Sequence, residues 1–152
     1  MDYKLIMQAA LSLAKVAADK GDVPVGAIVV NETGEILGTG QNLREQSNDP
    51  TAHAEIIAIR QAAEKIGSWR LDDLTLVVTL EPCAMCAGAV AQSRIKRLIF
   101  GAFNEKNGAV GSVWDLLRDT RSIYRPEVIG GILEDESIKL LSNFFKNLKN
   151  NF

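Results

Sequence analysis

The sequence predicts an α/β fold in which helices cover both faces of a mixed five-stranded sheet. Apolar residues recur at helical spacing near both ends of the chain. Between these segments, short apolar and β-branched runs alternate with helical stretches. With 152 residues and 47% hydrophobic content, the chain can bury a substantial core, and we expect residues 1–152 to form one domain.

The first half of the chain predicts two helices and three strands. Gly21 ends the first helix, and the turn at residues 31–34 joins the first two strands. Asp49-Pro50-Thr51 starts the second helix, because Asp or Thr can cap a helix and Pro suits its first turn. The elements are a helix over residues 3–20, strands at Val25–Val30 and Ile36–Gly40, a helix from Asp49-Pro50-Thr51 to about Gly67, and a strand at Leu74–Leu80.

The second half of the chain continues this alternation. Ala87, Gly88 and Ala89 are small, which permits close packing of the helix that contains them. The elements are a helix opened by Pro82, a strand at Leu98–Gly101, a short helical turn near Val113–Leu117, a strand at Glu127–Ile132, and a closing helix at Asp135–Leu148.

The only histidine and both cysteines of the chain fall in two short motifs, His53-Ala54-Glu55 and Pro82-Cys83-Ala84-Met85-Cys86. Taken singly, a lone His is usually a packed or surface residue, and CxxC can be a redox pair, half of a metal site or incidental. Together, one imidazole and two thiolates form a ligand set with no fourth His or Cys. Structural zinc has four protein ligands, whereas catalytic zinc keeps one position for water. The motifs therefore predict one catalytic zinc per chain, with Glu55 as a proton carrier and not a ligand.

The pattern H-x-E followed by P-C-x-x-C is typical of zinc deaminases. Both motifs begin helices, so we expect the unpaired N–H groups there to lower the pKa of the cysteines. Water at the open zinc position would lose a proton to Glu55, and the hydroxide would attack an sp² carbon that bears an amino group. Glu55 would return the proton to the ring and help ammonia leave.

The chain resembles the bacterial tRNA-specific adenosine deaminases over nearly its whole length. The matching stretches are Val23–Ala27, Asn42, Asp49–Glu55, Leu80–Ala89, Ser93–Ile95, Phe100–Ala102, Gly108–Ser112 and the pair Phe144-Phe145. The resemblance implies a cytidine deaminase-like three-layer α/β/α sandwich and conversion of the wobble adenosine of an anticodon to inosine. It also implies a tRNA anticodon stem-loop as partner and a homodimer. A cytoplasmic, reducing location is expected because the two thiols must stay free to bind metal.

The resemblance further implies substrate-binding residues outside the zinc motifs. Asn42 would hydrogen-bond the flipped nucleoside, and Phe144 and Phe145 would contact the splayed anticodon nucleotides. Arg94 would help to hold the RNA. Alternatively, Asn42 is a turn residue and the Phe pair packs the last helix. The chain departs from the family at Asn104, where an Asp is usual, so a charge near the bound backbone is absent.

Charge and composition leave two other functions open. The net charge is −2, yet residues 94–125 carry seven basic and three acidic residues, which indicates either a local basic face or an ordinary surface. We expect no membrane span and no signal peptide. The alternatives are a free nucleobase deaminase acting on guanine or cytosine, and a non-catalytic zinc-binding module. Glu55 argues against the module, while Ser93–Ile95, the basic stretch and the Phe pair argue against a free base.

Overall fold

The computed structural model of the protein describes residues 1–150, so the expected domain of residues 1–152 extends two residues beyond them. The helices are α1 (Tyr3–Asp19), α2 (Arg44–Ser47), α3 (Ala54–Ile66), α4 (Ala84–Gln92) and α5 (Glu134–Asn150). The strands are β1 (Gly26–Val30), β2 (Ile36–Gln41), β3 (Thr75–Leu80), β4 (Arg97–Ala102) and β5 (Glu127–Ile129). Within residues 1–150, no helix combines the length and the apolar composition that crossing a membrane requires.

The five strands form one mixed sheet in the order β2-β1-β3-β4-β5. β1 runs antiparallel to both of its neighbours, whereas β3, β4 and β5 are parallel to one another. The register pairs Ala27 with Val78 and Leu80 with Ala102. The predicted mixed five-stranded sheet is therefore confirmed.

Each face of the sheet buries its own core. Ala27 and Val29 of β1 face a core shared with Ala58 of α3 and Val90 of α4. The alternate β1 residues, represented by Ile28, face a second core shared with α1. Because successive side chains of a strand point to opposite faces, one fully buried strand serves both cores. Helices thus cover both faces, as predicted for a three-layer α/β/α sandwich.

α3 lies unusually close to β2. A Cβ atom at Gly38 or Gly40 would overlap the carbonyl oxygens of Ala58 and Ala54, so only glycine permits this approach. The contact fixes the first turn of α3 against the end of β2. The residue that precedes α3, His53, is consequently held at this edge of the sheet.

Two helix boundaries differ from the sequence prediction. α3 begins at Ala54 and not at Asp49-Pro50-Thr51, because the Asp49 carboxylate accepts hydrogen bonds from Thr51 N at 2.8 Å and Thr51 Oγ1 at 2.7 Å. This turn satisfies the Asp49 side chain before the helix starts. α4 likewise begins at Ala84, with Cys83 as its N-cap residue.

Short elements account for the other differences. The helical turn predicted near Val113–Leu117 is absent from the described residues, which place a turn there, with an isolated bridge between Val110 and Asp115. The last strand ends at Ile129 and not at Ile132, because Gly131 adopts a φ of +87°. The four-residue helix α2 was not predicted.

Candidate active site

One edge of the sheet collects the ends of four strands around a cavity. β3 leads into Glu81-Pro82-Cys83 and β4 into residues 103–107 at this edge. β1 is antiparallel to β3 and therefore starts here, and β2 is antiparallel to β1 and therefore ends here. These segments and α5 line a cavity of about 530 Å³. A cavity of this size is in the range of small-molecule sites, and carboxyl ends of strands are where α/β folds commonly bind ligands.

His53, Cys83 and Cys86 converge beside this cavity. His53 and Cys83 are the N-cap residues of α3 and α4, and Cys86 lies in the first turn of α4. Within residues 1–150, neither N-cap side chain makes the capping hydrogen bond that Ser, Thr, Asp or Asn would make there. Both are therefore free to point toward each other.

The geometry of these three side chains fits a zinc ion. His53 Nδ1 lies 3.6 Å from Cys83 Sγ and 3.5 Å from Cys86 Sγ, and the three ligand atoms lie within 4.8 Å of one another. Tetrahedral bonds of about 2.3 Å to sulfur and about 2.0 Å to nitrogen would separate N and S by about 3.5 Å. The His/Cys/Cys donor set and its spacing thus match what zinc requires, with Nδ1 as the imidazole ligand.

The pKa values of the two thiols shift in opposite directions. The hydrogen bond from Cys86, together with a smaller contribution from His53, lowers the pKa of Cys83 to about 4. The same hydrogen bond, together with burial, raises the pKa of Cys86. The expected lowering is thus found at Cys83, where the neighbouring thiol is the largest cause and the backbone N–H of Cys86 also contributes, but the pKa of Cys86 shifts in the opposite direction. The hydrogen bond to Cys83 also raises the pKa of His53.

Glu55 lies in the first turn of α3, two residues after His53, and lines the same cavity. The residue is only 4% exposed. Burial raises the pKa of its carboxyl group, an effect that His53 partly offsets. A carboxyl group whose pKa is raised by burial beside a candidate metal site is suited to moving protons.

Asn42 also lines the cavity, where its side chain is tied to the backbone. Nδ2 donates to Val23 O at 3.2 Å, and Oδ1 accepts from Arg44 N at 3.2 Å. Both interpretations of Asn42 therefore find support, since it organises the turn after β2 and faces the space a substrate would fill. The amide has a second N–H, which leaves it one donor for a ligand.

The two C-terminal phenylalanines lie in different environments. Phe145 lines the cavity and is 46% exposed, whereas Phe144 is half-buried and does not line it. Their rings meet edge to face at a centroid distance of 5.4 Å. Phe144 thus supports the ring of Phe145, and Phe145 is the member of the pair available to a ligand.

Arg94 lies outside the cavity lining. Its guanidinium is 6.0 Å from the Trp69 ring and 5.8 Å from the Tyr124 ring, and Nη1 donates to Ala91 O at 2.8 Å. These contacts hold Arg94 between two aromatic rings. A contact between Arg94 and RNA remains a prediction.

The basic stretch at residues 94–125 is largely neutralised by acidic partners. Four of its seven basic residues form salt bridges, namely Lys96, Arg97, Arg118 and Arg121. At the mouth of the cavity itself, the cationic residues are Arg44 and Lys106. A phosphate backbone entering the cavity would therefore meet these two side chains first.

The sequence analysis did not identify a second aromatic residue, Phe103, that lines the cavity together with Phe145. Phe103 follows β4 directly, is 47% exposed and lines the cavity. Its ring stands at 87° to the buried Phe100 ring at 5.0 Å, which fixes its orientation. The signal that could have found it is an aromatic residue placed directly after the carboxyl end of a buried parallel strand.

Comparison with known proteins gives consistent matches. The MafB19-like deaminase family matches residues 1–149. A tRNA-specific adenosine deaminase of Bacillus subtilis (strain 168) is 46% identical over 146 residues, covering 96% of this chain and 90% of that protein.

Three solved structures share the fold at different levels of identity. One comes from studies of A-to-I editing by tRNA:A34 deaminases at the wobble position of transfer RNA; it has a TM-score of 0.85 at 41% identity and covers 89% of this chain and 97% of its own. A guanine deaminase from Nitrosomonas europaea has a TM-score of 0.77 at 26% identity, covering 91% of this chain and 81% of its own. A guanine deaminase from Bacillus subtilis reaches 40% identity but has a TM-score of 0.65 and covers 68% of this chain and 66% of its own, so the tRNA-editing structure matches over more of the chain and at the higher TM-score.

Proposed function

The chain belongs to the tRNA-specific adenosine deaminases of the MafB19-like deaminase family, and we propose that it converts the wobble adenosine of a tRNA anticodon to inosine. This membership confirms the resemblance predicted from the motifs. The reaction consumes one water and releases one ammonia. The observation that carries the proposal is the convergence of His53, Cys83 and Cys86 with Glu55 at one cavity.

The proposed chemistry divides between a metal and the chain. His53, Cys83 and Cys86 would hold one zinc ion, which supplies Lewis-acid activation of water near neutral pH. Glu55 takes the proton from the attacking water and delivers it to the purine nitrogen beside the reacting carbon. The carboxylate then takes the remaining hydroxyl proton of the adduct and passes it to the amino group, so that the C–N bond breaks, ammonia departs and the carbonyl of inosine forms. Asn42 has a free amide N–H with which to orient the base.

The mouth of the cavity supports an RNA loop as the partner. A base must leave its stack to reach the reacting atoms, and aromatic rings stabilise splayed nucleotides by stacking. Phe103 and Phe145 provide two exposed rings at the mouth, and Arg44 and Lys106 provide two positive charges. We therefore infer that the substrate is the anticodon stem-loop, which makes the cytoplasm the expected location.

A homodimer is part of the same proposal. A second cavity of about 300 Å³ lies between α4 and residues 116–123, and Ala87, Ala91 and Ile123 are among its lining residues. Ile123 is 61% exposed, and Trp114 nearby in the chain is 50% exposed. Exposed apolar surface of this kind is typical of an interaction site, and a second copy of the chain is the proposed partner. We further propose that residues 1–152 form a single deaminase domain.

The function is tested by substrate choice. We expect inosine and ammonia to form from an anticodon stem-loop with a wobble adenosine at a much higher kcat/KM than from free adenosine, because remote contacts orient the reacting carbon. A stem-loop with guanosine at the wobble position serves as the control RNA. If Arg44 and Lys106 each contact one phosphate, log kcat/KM should fall with log salt at a slope of about −1.4.

The competing function predicts the opposite pattern. Rapid deamination of free guanine or cytosine, with the stem-loop left unchanged, would contradict the tRNA proposal and support a free nucleobase deaminase. Zinc binding without turnover of any of these substrates would support the non-catalytic module.

The aromatic residues give a separate prediction. We expect Phe145→Ala and Phe103→Ala each to lower kcat/KM for the stem-loop roughly tenfold, since stacking on one aromatic ring contributes about 1–3 kcal/mol per base. Phe144→Ala should have a smaller effect, because Phe144 acts through Phe145. Leu148→Ala, an exposed apolar residue of α5 outside the cavity lining, is the matched control. Zinc content should stay constant throughout, and unchanged turnover by both Phe145→Ala and Phe103→Ala would contradict the stacking role.

A further inference from the structure

Glu81 is a buried acidic residue for which the proposed chemistry has no role. It directly follows β3, precedes Pro82-Cys83, is 1% exposed and is itself one of the residues that line the cavity. Its Oε1 accepts hydrogen bonds from Asn104 N at 3.0 Å and from the Ser112 hydroxyl. Its Oε2 accepts from Val110 N at 2.9 Å and from Ser112 N at 3.1 Å.

All four donors belong to one segment, residues 104–112, which we call the wall segment. A carboxylate has about four lone-pair sites, so the wall segment fills them all. Such saturation offsets the large cost of burying a carboxyl group away from water. Three of the four donors are backbone N–H groups, which can only donate, so the wall segment needs acceptors on both oxygens of this side chain.

The wall segment is built to receive this carboxylate. Gly108 lies against it, and a Cβ atom there would overlap the Glu81 carboxyl carbon. The segment also closes on itself, since Gly108 N donates to Asn104 O at 2.8 Å. The segment is also bound to the residue before Cys83, because Ala109 N donates to Pro82 O at 2.8 Å.

The wall segment forms one side of the active-site cavity. Residues 104–107 line it, directly after Phe103, and face Phe145 and Ile138 of α5. Within the described chain these residues have no regular secondary structure to hold them, because β4 ends at Ala102. Their position consequently depends on the contacts of the wall segment with Glu81.

We propose that Glu81 is a positioning residue for substrate binding: it holds the wall segment in place as one side of the cavity without touching the reacting atoms. This rests on the proposed function. The carboxylate acts on the affinity for the nucleotide, because residues that the wall segment presents, among them Lys106, meet the substrate. The proton transfer at Glu55 and the ligand set are separate from it.

Glu81→Gln tests the proposal with a small structural change. Each oxygen accepts two hydrogen bonds, and at least one donor of each pair is a backbone N–H, so in either orientation the amide NH₂ leaves at least one backbone N–H of the wall segment without an acceptor. We expect amide hydrogen exchange in residues 104–112 to accelerate at least tenfold, as follows when hydrogen bonds to a charged acceptor are lost. KM for the stem-loop should rise roughly tenfold, with kcat within about threefold of the wild type and zinc content unchanged. Glu64→Gln, an exposed acid on α3, is the matched control.

Ser112→Ala keeps the proposal testable if Glu81→Gln does not fold. It removes one of the four donors and leaves the carboxylate, so exchange in residues 104–112 should accelerate less and KM should rise about threefold. Gly108→Ala adds a Cβ atom that would overlap the Glu81 carboxyl carbon, so it should displace the wall segment and reproduce the effect of Glu81→Gln.

The exchange measurement separates this proposal from the proposed function. Unchanged exchange and unchanged KM in the Glu81 and Ser112 variants would overturn the positioning role, as would a fall in kcat or in zinc content without a rise in KM. If the wild type fails to deaminate the stem-loop, the proposed function fails, whereas accelerated exchange would still show that Glu81 holds the wall segment.

Discussion

Glu55→Gln is expected to lower kcat for the stem-loop by at least ~10²–10⁴-fold, the range for loss of a general acid-base group. Glu55 is the carboxyl group that lies in the cavity within the same helical turn as a candidate metal ligand. Gln fills nearly the same volume but cannot accept the proton of the attacking water and return it to the base. The variant should therefore bind RNA as well as the wild type does.

Measuring the zinc content of Glu55→Gln separates a loss of proton transfer from a loss of metal. Glu55 is outside the cluster of three potential metal-binding side chains, so Glu55→Gln should retain about one zinc per chain. Single-turnover kinetics with the stem-loop and elemental analysis of the same sample give both quantities. Glu64→Gln, farther along α3 and exposed, should match the wild type in both. Wild-type turnover by Glu55→Gln would refute the proton-transfer role, and loss of zinc would make Glu55 a ligand.

Much of the fold could be predicted because its long elements carry periodic apolar patterns. β1 and β3 are almost wholly buried, so they appear in sequence as continuous apolar runs bounded by turns. The elements that were missed depend on distant partners. α2 is stabilised by the buried Asp22, whose carboxylate accepts from Glu45 N at 2.7 Å and Gln46 N at 3.3 Å. No pattern within residues 44–47 reveals that contact.

The helical turn expected near Val113–Leu117 failed for a related reason. Its apolar spacing suits a helix, but Trp114 O accepts from Gly111 N at 2.8 Å and Leu116 N donates to Ala109 O at 2.9 Å, which turns the backbone away from helical pairing. The same turn is anchored from outside, because Ser112 N donates to Glu81 and Val113 N and Trp114 N both donate to Gly108 O. A tertiary contact thus overrode local preference.

The candidate site divides in the same way. His53, Cys83, Cys86 and Glu55 were predictable because their residue types are rare or their spacing is specific to one chemistry. Glu81 could not be, since its donors are mostly backbone N–H groups, which every residue but proline offers. Counting charges likewise overstated the basic face around Arg94, because a count does not show which cations have acidic partners.

Cys86→Ala is expected to remove most of the zinc and to abolish deamination. Wild-type protein should contain about one zinc per chain, bound through His53, Cys83 and Cys86. Among the described residues, these three side chains form the only cluster that could hold a metal ion, so the variant has no substitute ligand there. Two remaining ligands bind far more weakly than three, because the ligands act together.

The design separates metal loss from damage to the core. Cys86 is fully buried, so Cys86→Ser, which is closer in volume, accompanies the alanine variant. Met85→Ala changes the adjacent, 37% exposed residue of the same turn and should keep both zinc and activity. Elemental analysis, the thermal unfolding midpoint and stem-loop turnover are measured on each protein.

Chelation of the wild type provides the independent measurement. A metal that binds only the folded chain stabilises it by mass action, so removing zinc should lower the unfolding midpoint, and restoring zinc should recover both stability and turnover. In Cys86→Ala and Cys86→Ser, the chelator should leave the midpoint nearly unchanged because little metal is bound. Full zinc occupancy in either cysteine variant would exclude Cys86 as a ligand, and full activity in chelated wild type would exclude the metal from the reaction.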